Sequence, residues 1–150
     1  MKTLKHFING HYVAGSSEDS FELVSPVDGE TYAISPNANE AEVEQAYSAA
    51  EAAFSIWRKS TPAQRQKALL LLADEIERNV EWLVTAQSQE TGQLRHFIEK
   101  EEIAASCDAI RFFAGAARCL EGKAAGEYSA GFTSTIRREP LGIVGQVTPW

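Results

Sequence analysis

The sequence predicts an α/β fold in which short strands come first, four helical segments follow, and a hairpin and one buried strand close the chain. Three observations predict it. Turn residues interrupt short apolar runs in the first 35 residues, apolar residues recur every three or four positions from Asn39 to about Leu120, and a short apolar run lies between Pro140 and Pro149.

In the opening stretch, Phe7-Ile8 runs into Asn9-Gly10, Tyr12-Val13 into Gly15-Ser16-Ser17, and Phe21 to Val24 into Ser25-Pro26-Val27-Asp28-Gly29. Asn-Gly and Asp-Gly are the dipeptides that adopt the positive φ of tight hairpin turns, so two or three strands are expected here.

From Asn39 the period changes. Val43, Ala46, Tyr47, Ala50, Ala53, Phe54 and Trp57 share one helical face over about five turns. Thr61-Pro62-Ala63-Gln64 supplies a capping hydroxyl, a proline suited to the first helical position and a glutamine three residues after the cap, which starts a second helix. It turns Ala68, Leu69, Leu72, Ala73 and Ile76 inward and ends near Asn79. Val80 to Thr91 forms a third segment stopped by Gly92. Arg95 to Leu120 forms a long fourth, with Ile103, Cys107, Ile110, Ala114 and Ala117 as its stripe and Gly122 as its stop.

Beyond Gly126 the helical period is lost. Tyr128, Phe132, Thr133, Thr135 and Ile136 around Gly131 suit a hairpin within Glu127 to Glu139, and Gly142 to Thr148 reads as a fully buried strand of a parallel sheet. Such a strand needs neighbours reached through crossover helices, and the sequence stops one residue after Pro149, so it reads as a fragment.

With 44% apolar and 23% charged residues and five prolines, the composition is that of a globular protein. A formal charge of −7, from 21 acidic against 14 basic side chains, leaves no basic footprint for nucleic acid. The longest apolar run, Ala68 to Ala73, is far too short to span a bilayer, and the amino terminus lacks the apolar stretch of a signal peptide, so a soluble cytoplasmic protein with no membrane partner is expected. Cys107 and Cys119, both assigned to the fourth helix, would lie roughly 18 Å apart, beyond disulfide reach.

Catalytic signals in the residues themselves are sparse. No GxGxxG, GxxxxGK[ST] or HExxH occurs, and His6, His11 and His96 have no metal-ligand spacing and read as surface or loop residues. Cys107 and Cys119 sit among apolar neighbours, which disfavour a thiolate. Glu99, Glu101 and Glu102 read first as a solvated helix face.

One stretch is more specific. Arg138 to Trp150, REPLGIVGQVTPW, resembles the segment by which aldehyde dehydrogenases pass from an edge strand into the first strand of their nucleotide-binding sheet. Further likeness runs the length of the chain: Phe7-Ile8-Asn9-Gly10, Ser25 to Gly29, Ala49 to Trp57, Arg65 to Asn79, Glu90-Thr91-Gly92-Gln93, and Phe112-Phe113-Ala114-Gly115. Within that family, Arg111 to Leu120 followed by Ala124 to Tyr128 most resembles 4-aminobutyraldehyde dehydrogenases, relatives of the betaine aldehyde enzymes.

The resemblance implies an aldehyde dehydrogenase-like amino-terminal part in three pieces. Residues 1–126 would belong to the NAD-binding domain, 127–140 would be oligomerisation strands, and 141–150 would be the truncated first strand of a Rossmann-like sheet. It implies NAD-dependent oxidation of an aldehyde, with NADP not excluded, in which a cysteine thiolate attacks the aldehyde and a glutamate activates water. Both of those residues are expected beyond residue 150, so the chain alone is expected to be inactive. Val147, Thr148, Pro149 and Trp150 match the rim of the nicotinamide site. Glu102 matches an acidic position near the substrate entrance of aminoaldehyde enzymes, and Leu23, Val24 and Glu90 match a monovalent-cation site. A homo-oligomer, tetramer or dimer, is implied for the complete enzyme. The competing reading is a noncatalytic helical interaction domain of the same ancestry. A coding sequence continuing into Asn and a later cysteine motif selects the enzyme over it.

Overall fold

The computed structural model describes residues 2–122 and 125–148. Its first 36 residues hold five strands, not two or three: β1 (Lys2–Thr3), β2 (His6–Ile8), β3 (His11–Val13), β4 (Ser20–Val24) and β5 (Thr31–Pro36). β2 and β3 form the expected antiparallel hairpin, with Asn9 at φ 52° and Gly10 at φ 78° making the turn. The remaining three form a sheet ordered β1-β5-β4, in which β5 runs parallel to β1 and antiparallel to β4. β5 escapes a sequence reading because only Ala33 is buried, a residue too small to mark a strand.

α1 spans Glu40–Trp57 and opens on a reciprocal capping box. The Asn39 side chain accepts the Glu42 amide at 3.0 Å, and the Glu42 carboxylate accepts the Asn39 amide at 2.9 Å. α2 (Pro62–Arg78) opens on the predicted box, with Thr61 and Gln64 each accepting the other's amide. α3 (Val80–Thr91) ends at Gly92, whose φ of 73° places it in the left-handed region.

The long fourth helix is corrected in two ways. Arg95–Phe97 (α4) and Ala104–Ala116 (α5) are α-helical, but Ile98–Ile103 between them is a π-helical segment, and the helix stops at Ala116, short of Leu120 and Gly122. Burial explains the wide turn. Ile98 and Ile103 are both buried, yet a five-residue step at about 100° per residue would turn Ile103 roughly 140° away from Ile98. Bonds from i to i+5 bring the two onto one side.

Val84, Ile98, Ile103 and Cys107 form the buried cluster, with Ile76, Val80 and Leu83 packed against it. α2 and α5 pack against each other, and Ala73 on one and Ala114 on the other are both fully buried. Arg111 spans this junction, donating to Asp74 at 3.0 Å and to both oxygens of Glu77 at 2.7 and 2.8 Å.

The inward placement of Leu72 on α2 fails, since it is about half exposed, and the α1 face carrying Val43, Tyr47 and Trp57 is likewise about half exposed. Beyond the helices, β6 (Gly126–Ser129) and β7 (Phe132–Ser134) pair as the predicted hairpin around Gly131 at φ 79°. Residues 141–148 form no strand: Leu141 is 96% and Val147 99% exposed. No strand among the described residues pairs with this segment, so its apolar side chains have nothing to pack against.

Candidate functional site

Of the four residues assigned to the cofactor rim, Pro149 and Trp150 lie outside the described residues. Val147 and Thr148 are exposed in an extended tail and enclose nothing. That tail does pass near α1, because a Cβ on Gly145 would lie 3.3 Å from the Tyr47 hydroxyl. A nicotinamide needs walls on both faces of its ring, and the residues present do not form them.

Glu102 sits in the π-helical segment, half-buried, and is not the free carboxylate of a solvated face. The Gln93 side-chain amide donates to its Oε1 at 2.7 Å, and the Gln87 amide donates to its Oε2. Gln87 also donates to Gln93 at 2.8 Å, and the Ser88 hydroxyl donates to the Gln93 carbonyl at 2.9 Å. Two glutamines thus tie the end of α3 and the Gly92–Leu94 turn to Glu102. Sequence reading missed them because a glutamine on a helix face, like Gln87, or in a turn, like Gln93, resembles an ordinary surface residue. The Glu90-Thr91-Gly92-Gln93 motif was a signal for Gln93 alone.

The carboxyl end of α3 packs beside the end of the β4–β5 pair. A Cβ on Gly92 would lie 3.2 Å from Pro26, and burial together with the Glu90 charge pushes the Tyr32 phenol up from its ordinary pKa. The β4–β5 register shifts between Leu23 and Val24, loosening regular pairing there. Leu23, Val24 and Glu90 therefore belong to neighbouring elements, although Glu90 is exposed. No group of three or more His, Cys, Asp or Glu suited to a metal occurs among the described residues.

The thiols differ. Cys107 is buried and its thiol is pushed up, by burial first and then by the Glu77 charge, with Arg111 opposing; its Sγ lies 3.8 Å from the Ala73 carbonyl. Cys119 lies past the end of α5 and is exposed, which corrects its placement on an interior helix face. His11 and His96 are at the surface as expected, whereas His6 is half-buried. An open cleft of about 680 Å³ between the β2–β3 hairpin and α1, lined by Ile8, His11, Val13, Glu44 and Ser48 among others, contains none of the candidate site residues.

The model of the aldehyde dehydrogenase family matches residues 12–150. The chain belongs to the aldehyde dehydrogenase family. It is 35% identical over 146 residues to a long-chain-aldehyde dehydrogenase of an Acinetobacter species, covering 97% of this chain and 29% of that protein. It is 36% identical over 145 residues to a probable aldehyde dehydrogenase of Streptomyces coelicolor, covering 97% and 28%. Among solved structures, a salicylaldehyde dehydrogenase from Pseudomonas putida G7 complexed with salicylaldehyde superposes with a TM-score of 0.84 at 28% identity, over 95% of this chain and 29% of that one. PnpE in complex with nicotinamide adenine dinucleotide superposes with a TM-score of 0.80 at 31% identity, over 87% and 26%. The chain thus spans less than a third of the length of the relatives it matches. The mixed α/β character expected from the sequence agrees with these structures.

Proposed function

We propose that this chain supplies the amino-terminal part of a cytoplasmic, NAD(P)-dependent enzyme that oxidises an aldehyde to a carboxylic acid, with the catalytic cysteine and glutamate contributed from beyond residue 150. The observation that carries this reading is the family match across residues 12–150. Two features support placing the chemistry elsewhere. Cys107 is buried with a raised thiol pKa, the reverse of an activated nucleophile, and the exposed Cys119 has no hydrogen-bonded charged side chain among the described residues. The nicotinamide cofactor is supported by PnpE, which was solved with that dinucleotide.

In this reading residues 141–150 complete a Rossmann-like sheet and bring Val147 to Trp150 to the nicotinamide, residues 127–140 pair between subunits of a homo-oligomer, and carbonyls of Leu23 and Val24 with Glu90 hold a monovalent cation. The test is formation of reduced nicotinamide, followed by absorbance, from a panel of aldehydes. A longer protein that carries this chain turns over at least one of them, and the 150-residue chain turns over none. Turnover by the chain alone overturns the placement of the chemistry, and none by the longer protein overturns the activity.

The substrate class we propose is an aminoaldehyde such as 4-aminobutyraldehyde, from the resemblance of Arg111 to Leu120 and from Glu102. The similar proteins carry names for other substrates, including long-chain aldehydes and salicylaldehyde, so the substrate is the part of the reading to test hardest. A half-buried carboxylate attracts an ammonium tail and gives nothing to an uncharged one. Glu102→Gln in the longer protein should raise KM for aminoaldehydes by about two- to fivefold, the scale of partly exposed charge pairs. KM for uncharged aldehydes should stay unchanged, and equal effects on both would exclude this role.

A further inference from the structure

Away from these residues, three segments converge on one buried carboxylate. Glu42 is 5% exposed at the start of α1. Its Oε1 accepts the Ser16 amide at 2.7 Å and the Ser16 hydroxyl at 3.0 Å, while Oε2 accepts the Asn39 amide at 2.9 Å. The Asn39 side-chain amide donates to the Ser16 hydroxyl at 2.8 Å, closing a ring between the loop after β3 and the cap of α1.

The remaining side of Oε2 faces His6 of β2, whose Nε2 stands 3.7 Å away. Among the described residues, that nitrogen is the one buried side-chain nitrogen or oxygen without a hydrogen-bond partner. Its position is tightly bounded: a Cβ on Gly15 would lie 3.2 Å from it and 2.5 Å from Pro36 Cβ, so only glycine leaves room for the ring.

We propose that His6 and Glu42 form a proton-operated latch that holds the β2–β3 hairpin against the amino terminus of α1. A neutral imidazole without a proton on Nε2 turns a lone pair toward an anion, and one with a proton there is too far away for a hydrogen bond. Protonation makes His6 a cation that donates from both nitrogens, and a movement of less than 1 Å converts the contact into a charge-assisted hydrogen bond in a site shielded from water.

The charges around His6 are few. Glu42 is the one acidic side chain within ion-pairing distance among the described residues; Val13 across the hairpin, Gly15 and Ser16 in the loop, and Pro36 at the end of β5 are uncharged. The positive end of α1 opposes a nearby cation, so the latch depends on Glu42. Glu42 remains ionised while an imidazole takes up its proton, because the Asn39 amide, then the Ser16 amide and hydroxyl, and finally His6 hold its pKa below the ordinary carboxylate range against the effect of burial. The direction follows from the geometry: the charged imidazole can donate to Glu42 where the neutral one cannot, so the hairpin is held more firmly at lower pH than at higher pH.

Amide hydrogen exchange read by mass spectrometry on the full-length protein that carries this chain tests the latch. After correction for the intrinsic pH dependence of exchange, residues 6–16, including the Ser16 amide, should exchange about tenfold more slowly near pH 6 than near pH 8, the scale of one hydrogen bond to a charged group. In His6→Gln and in Glu42→Gln that difference should disappear. A wild-type protein whose corrected exchange is the same at both pH values overturns the latch without reference to either variant. So does a variant that keeps the wild-type response.

Discussion

The layer formed by α2, α3, the π-helical segment and α5 and the segment from Gly126 to Thr148 are both rich in apolar residues, and they meet opposite fates. In the helical layer Val84, Ile98, Ile103 and Cys107 close on one another and leave water. In the later segment Tyr128, Phe132, Leu141, Val144 and Val147 remain largely exposed. Composition does not separate the two. The helical layer finds its partners within about 50 residues of sequence, whereas a parallel strand needs partners that a crossover must deliver. An apolar pattern tells that a face will be covered, and topology tells by what.

The sharpest way to break the comparison is to remove the centre of the helical cluster. Ile98 is the largest fully buried side chain among the described residues, and Ile98→Ala leaves a cavity where α3 meets the π-helical segment. A loss of about 2–5 kcal/mol is expected from the urea midpoint of the 150-residue chain. A loss under about 1 kcal/mol would mean that the cluster collapses around the gap and is not a packed interior. The wide turn itself should suffer too, because burial of Ile98 beside Ile103 is what keeps a five-residue step favourable.

What the sequence made legible follows the range of the interactions involved. The Asn9-Gly10 turn, the Thr61–Gln64 box and the Gly92 stop were readable because each is made by residues within four positions of one another. The π-helical segment was not, since its cause is the joint burial of Ile98 and Ile103 against a separate helix. Glu102 was singled out by resemblance, but Gln87 and Gln93, which hold it, were invisible because 15 and 9 residues of separation leave no periodic mark. His6 and Glu42 are 36 positions apart; His6 reads as a surface or loop histidine, and no local pattern singles out Glu42. The candidate cofactor rim was legible as a motif and not as a site, since a site needs the walls that other strands provide.

A smaller effect tests the junction between the strands and the helical layer. Gly92 has φ 73° and its Cα faces Pro26, so Gly92→Ala forces a side chain into the left-handed region and against a ring. About 1–2 kcal/mol should be lost on backbone grounds, with some addition from the Pro26 contact. Thermal unfolding of the variant beside the parent chain measures it. An unchanged midpoint would mean that the end of α3 can unwind at no expense, and that Glu90 is not held beside the β4–β5 pair.

The smallest expected effect discriminates most finely between the two regions. Val147 is almost fully exposed in this chain, so Val147→Ser should change its stability by no more than about 0.5 kcal/mol. In the longer protein, where residues 141–150 are proposed to be a buried sheet strand, the same substitution removes a valine from an apolar layer and should cost about 1.5–3 kcal/mol. Urea unfolding of both proteins gives the two numbers. A large effect in both would show that the tail already packs against this chain, with the Gly145 and Tyr47 approach as the starting contact. A negligible effect in both would show that the segment is not buried in either, and the assignment of Val147 and Thr148 to the rim of a nicotinamide pocket would then fall with it.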